Sequence, residues 1–98
     1  MSLMGILDIF SRNRDEDLEK KRREFLLKNG RITEGTIIDS QTTARGEIVF
    51  YVYSVQGVNF ESSELLTFEQ MKNPLKYAPG AKVNVRYDPK NHGNSILE

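Results

Sequence analysis

The sequence contains no cysteine and a single histidine, His92. Disulfides, thiolate metal sites and cysteine nucleophiles are therefore excluded, and one imidazole alone does not make a transition-metal centre. Net charge is missing as well. The 14 Lys and Arg residues balance 14 Asp and Glu, so no global field steers the chain toward nucleic acid or an anionic membrane. No apolar run approaches the roughly 20 residues of a membrane-spanning helix. Glycine-rich phosphate loops are absent, and Ser62-Ser63 lacks the strand-turn-helix setting of a nucleophile elbow. Scattered carboxylates such as Glu61, Glu64 and Asp88 show no ligand spacing. The expectation is a non-enzymatic protein with no cofactor, no catalytic residue and no metal ligand.

What is present suffices for one domain: 98 residues support a single modest core. The most informative stretch lies near the end, from Pro79-Gly80 to Asp88-Pro89. Val83, Val85 and Tyr87 alternate there with Asn84, Arg86 and Asp88, the period of a half-buried strand. Pro89 ends it, and Asn91-His92-Gly93-Asn94 is the predicted reversal into a short last strand. His92 falls in that polar turn and is expected to be solvated.

Residues 1–12 form an apolar N-terminal segment. Leu3, Ile6, Leu7 and Phe10 recur at i, i+3, i+4 and i+7, so one or two helical turns gather them on one face. They read either as a flap over one end of the core or as a docking element. The partner of such an element is another protein or a second copy of this chain. A membrane surface is the alternative, since Arg12 and Arg14 follow directly. Arg12 comes after the apolar stretch, the reverse of a secretory leader, so the expected location is cytoplasmic or the inner face of the membrane.

Residues 13–30 read as one helix. Asn13 and Glu16 offer a variant capping box, Asp15 to Asp17 suit the first turn, and Gly30 suits the stop. Its apolar stripe is thin: Leu18, Phe25, and Leu26 or Leu27. The Lys20-Lys21-Arg22-Arg23 run reads as an ordinary solvated face, because six acidic residues accompany seven basic ones in positions 1–30.

Residues 31–98 read as a small β domain. Arg31 to Asp39 is a strand with Gly35 marking a bulge or sharp bend, and Ser40 to Gly46 is a polar loop. Glu47 to Val55 is the strongest strand, rich in β-branched and aromatic residues. Gln56-Gly57 predicts a two-residue turn that pairs Val55 with Val58, Tyr53 with Phe60 and Tyr51 with Ser62. Glu64 to Ala78 fits neither period, and Asn73-Pro74 interrupts any helix; a continued strand edge or one short helical turn is expected. The fold class is mainly β: a five-stranded antiparallel barrel or sandwich with one N-terminal helix packed outside.

Gly35, the Phe50 to Gly57 hairpin and the closing Gly80-x-x-Val83-x-Val85-x-Tyr87-x-Pro89-x-Asn91, with Ser95 before Ile96, carry a resemblance. Over residues 31–97 the chain resembles a widespread bacterial family of small β-rich domains of unknown function, often found beside transmembrane helices. His92 stands where that family commonly has proline. The resemblance implies a small antiparallel barrel or sandwich of about five strands, and it implies no activity.

Small barrels often bind single-stranded nucleic acid through exposed aromatics and basic residues. Tyr51, with Arg45 and Arg86, is the candidate set, and Tyr53, Tyr77, Tyr87 and Lys82 are secondary members. Against it, Tyr53 and Tyr87 alternate in phase with core residues. Protein interaction or self-association is the expected role.

Overall fold

Gln56 and Gly57 both take positive φ, 54° and 80°, and reverse the chain in two residues, as the twist of a hairpin requires. The register that follows is the expected one, with Val55 opposite Val58, Tyr53 opposite Phe60 and Tyr51 opposite Ser62. The structure is a computed structural model and describes residues 17–98. Its elements are α1 (17–29), β1 (Arg31–Thr43), β2 (Gly46–Val55), β3 (Val58–Leu65), α2 (Phe68–Met71), a 3-10 turn at Pro74–Tyr77, β4 (Lys82–Asp88) and β5 (Asn91–Leu97). The five strands form one antiparallel sheet in the order β3-β2-β1-β4-β5. The sheet curls until its two end strands, β3 and β5, approach each other, giving a nearly closed barrel.

Alternation along β2 turns Val49, Tyr51, Tyr53 and Val55 inward, where they meet Ile37, Val83, Val85 and Leu97. Leu66 and Tyr77, from the β3–β4 connection, join the same core. Each such side chain contributes about 1.5–3 kcal/mol by leaving water. Gly35 lies between Tyr53 on one side and Val83 on the other. A Cβ there would sit 2.6 Å from Val85 Cγ2 and 3.0 Å from Val52 O, so the glycine permits close packing. The bulge expected at Gly35 falls instead at Ile38, between Ile37 and Asp39, and Ile38 is turned outward.

Two further boundaries differ from the sequence expectation. The polar stretch from Ser40 is strand as far as Thr43, and only Ala44-Arg45 turns. Thr42 Oγ1 donates to Glu47 at 2.7 Å and Thr43 Oγ1 to Gly46 O at 2.8 Å. Polar side chains thus sustain a ladder that projects into solvent. At the other end the chain reverses at Pro89-Lys90, where the Lys90 N–H donates to the Asp88 carboxylate at 2.8 Å. Asn91 to Asn94 are therefore part of β5. His92 is half-buried there, its ring edge-on to Phe60 and Tyr87 and its Nε2–H donating to Pro89 O at 3.1 Å.

α1 stops where expected. Gly30 N–H donates to Leu26 O at 2.8 Å, and any Cβ at position 30 would overlap that carbonyl oxygen. Its packing edge is not the expected stripe. Leu26 alone is buried, while Leu18, Phe25 and Leu27 are exposed, because Arg22 and Arg23 make the other contacts of the helix with the barrel. The Asn13 cap and the apolar residues Leu3, Ile6, Leu7 and Phe10 lie outside the described residues.

Candidate functional site

Two regions depart from the rule of apolar inside and polar outside. The first is the seam between β3 and β5, which stand at opposite ends of the strand order and meet through side chains. Tyr53 Oη donates to His92 O at 2.6 Å, Tyr51 Oη and Ser95 Oγ share a hydrogen bond at 2.7 Å, and Leu97 N–H donates to Glu64 Oε1 at 3.0 Å. α1 lies over the same line. Arg22 donates to Asn94 Oδ1 at 2.8 Å and to Ser95 O at 3.0 Å, while Arg23 donates to Leu97 O at 3.3 Å and to Glu64 at 3.2 Å. Backbone groups along β5 that would otherwise belong to a missing strand are thus bound by side chains.

Glu64 is the centre of the seam. It stands opposite Val49, so the pleat aims it inward, and its side chain is 9% exposed. Burial pushes its carboxyl above the ordinary carboxylate range, opposed by the Leu97 N–H and by Arg23, with Gln70 alongside. Burial likewise raises the Tyr51 phenol, and the bond to Ser95 opposes that shift. On the outer face of α1, Arg22 also pairs with Glu19 at 2.6 Å, and that hydrogen bond lowers the Glu19 carboxyl. Among the described residues no buried side-chain nitrogen or oxygen lacks a partner.

The second region is the β3–β4 connection. Thr67 caps α2 reciprocally: its Oγ1 accepts from Gln70 N at 3.1 Å while Gln70 Oε1 accepts from Thr67 N at 2.8 Å. Gln70, Leu66 and Tyr77 are thereby turned inward. The residues between them turn outward, leaving Phe68 76% and Leu75 86% exposed, with Leu65 and Met71 partly so. Leu65 and Met71 adjoin beside Gly46, and Met71 and Pro74 line one groove of ≈ 390 Å³ with Leu66, Tyr77, Ser40 and Glu47. Leu75 continues the line from Pro74. Lys72 Nζ lies 5.8 Å from the centre of the Phe68 ring and Lys76 Nζ 5.5 Å from that of Tyr77. The result is an apolar ridge flanked by two ammonium groups.

The nucleic-acid set does not assemble on one surface. Tyr51 is fully buried, and Tyr53 and Tyr77 nearly so, which removes their faces from stacking. Arg86 is bound to Glu98 at 2.8 Å and to Gly30 O at 3.3 Å, and Lys82 donates to Thr36 Oγ1 at 2.9 Å. Arg45 stands exposed in the β1–β2 turn.

Residues 29–98 match the model of a family described as a domain of unknown function, DUF3592. The chain belongs to that family. The DUF3592 match takes in all five strands and the ridge, and begins at the last residue of α1. Arg22, Arg23 and Leu26, which close the seam, therefore come from outside the matched stretch. No curated protein and no solved structure matches the chain.

Sequence reasoning missed both Glu64 and the ridge. Glu64 was legible in the hairpin register, since pairing Tyr51 with Ser62 also pairs Val49 with residue 64. The ridge had no such signal, because its apolar residues follow neither the helical nor the strand period.

Proposed function

We propose that this DUF3592 domain is a non-catalytic interaction module that docks through the ridge of the β3–β4 connection. The observation that carries the reading is the exposure of Phe68 and Leu75 on two turns whose neighbouring side chains are anchored in the core. Single exposed apolar residues are ordinary, but several within one short connection mark a contact surface. The structural use of Tyr51, Glu64 and Ser95 in the seam supports the non-catalytic part. Among the described residues no helix is long and apolar enough to cross a membrane.

The test uses an uncharged apolar dye, Nile red, with the full chain and with the Phe68→Asp/Leu75→Asp variant. The folded protein is expected to bind the dye saturably, and the variant to lose that binding with an unchanged circular dichroism spectrum. Equal dye binding by both proteins, or none by either, overturns the reading.

A further inference from the structure

We propose that the surface met by the ridge is an anionic lipid membrane, with Phe68 and Leu75 entering the boundary between headgroups and acyl chains. This rests on the docking reading above and names its partner. Three observations favour lipid over protein. The two most exposed apolar side chains stand on separate short turns, α2 and the 3-10 turn, and at 76% and 86% exposure neither is walled in. Protein hot spots are instead anchors surrounded by a rim that excludes water.

Charge is the second observation. Between Leu66 and Pro79 the chain carries Lys72, Lys76 and a single acid, Glu69. Lys72 pairs with Glu69 at 3.1 Å, so the connection is net positive on a chain that is neutral overall. Lipid phosphates complement that sign, and each lysine near an anionic surface adds attraction that salt screens.

The third is the placement of the lysine stems. Each ammonium lies beside an aromatic ring of the same connection, Lys72 also paired with Glu69, so the basic groups sit at the edge of the apolar surface. That is the arrangement long basic side chains adopt at an interface.

The experiment is co-sedimentation of the full chain with phosphatidylcholine vesicles and with vesicles that also contain phosphatidylglycerol. Binding is expected to the anionic vesicles and to weaken as salt is raised. Phe68→Asp/Leu75→Asp is expected to lower affinity by about a hundredfold or more, since each buried apolar side chain is worth about tenfold or better. Lys72→Ala/Lys76→Ala is expected to lower it by about tenfold on anionic vesicles only.

Binding that Ile6→Asp abolishes and the ridge variant leaves intact would overturn the proposal, placing membrane contact in the N-terminal segment. So would failure to bind either vesicle. If the protein still binds Nile red in that case, docking survives with a different partner. A concentration-dependent dimer, dispersed by the ridge substitutions, then makes that partner a second copy. If the dye also fails, docking falls as well.

Discussion

The seam and the ridge invert the usual arrangement in opposite senses, and the difference lies in what becomes of the free energy of each. In the seam, polar groups are taken out of water and each one finds a partner: Glu64 with Arg23 and Leu97, Tyr51 with Ser95, Arg22 with Asn94. Their desolvation is offset by bonds inside the molecule. On the ridge, apolar groups are left in water, and Phe68 and Leu75 find no cover among the described residues. Their transfer free energy remains available to another surface. A completed polar network stabilises; an uncovered apolar line invites contact.

The comparison is broken most sharply by truncating one residue from each region. Tyr51→Ala removes a fully buried ring and orphans Ser95, and is expected to cost about 3–5 kcal/mol of unfolding free energy. Phe68→Ala should stay within about 0.5 kcal/mol of the unmodified protein, as surface substitutions do. Urea titrations followed by circular dichroism measure both. Comparable losses would show that the ridge, too, is structural.

A smaller effect tests whether the pairing at the seam is what holds α1. Arg23→Ala leaves the Glu64 carboxylate buried with the Leu97 N–H as its nearest donor, at an expected cost of about 2 kcal/mol. Adding Glu64→Gln removes the stranded charge and should restore most of the loss. The two substitutions are then non-additive in urea titrations, whereas independent contributions would sum.

The smallest effect is the pH dependence. The folded-state pKa of Glu64 is raised by burial, so the native protein holds this proton more tightly than the unfolded chain. Its contribution is fully present below the unfolded value and is lost as pH rises through the folded one. Glu64→Gln should therefore compare more favourably with the unmodified protein at about pH 7 than at about pH 4. Urea midpoints at the two pH values decide it, and a difference independent of pH would place Glu64 in effective contact with solvent.

Much of the β domain was legible because alternation and turn chemistry agree there. Gln56-Gly57 fixes a register, and with one face of β2 buried a slip of one residue would turn Tyr51 and Tyr53 into solvent. Legibility failed where polarity and structure part company. Ser40 to Thr43 is polar and still strand, since a ladder whose faces both meet water needs no apolar alternation. In α1 the basic run hid its own role: Arg22 and Arg23 stand four and three residues before buried Leu26, on its face of the helix, but their charge read as solvated and adjacent Leu27 offered a competing face. The ridge is illegible for a related reason, as the core contacts of Leu66, Gln70 and Tyr77 decide which way its residues point.

The closing bonds of the seam also set an order of events. Arg23 reaches a carbonyl 74 residues further along the chain, and Glu64 an amide 33 residues on. Synthesis runs from the N-terminus, so β5 is the last strand to leave the ribosome, and α1 waits through all the others for its docking line. Until Leu97 emerges, Glu64 lacks the amide it binds and β4 its second neighbour, and contacts this distant in sequence form slowly. Any strand that fits can take the vacant place, including β5 of a neighbouring nascent chain. Strand exchange between molecules is therefore the expected route by which this fold would go astray.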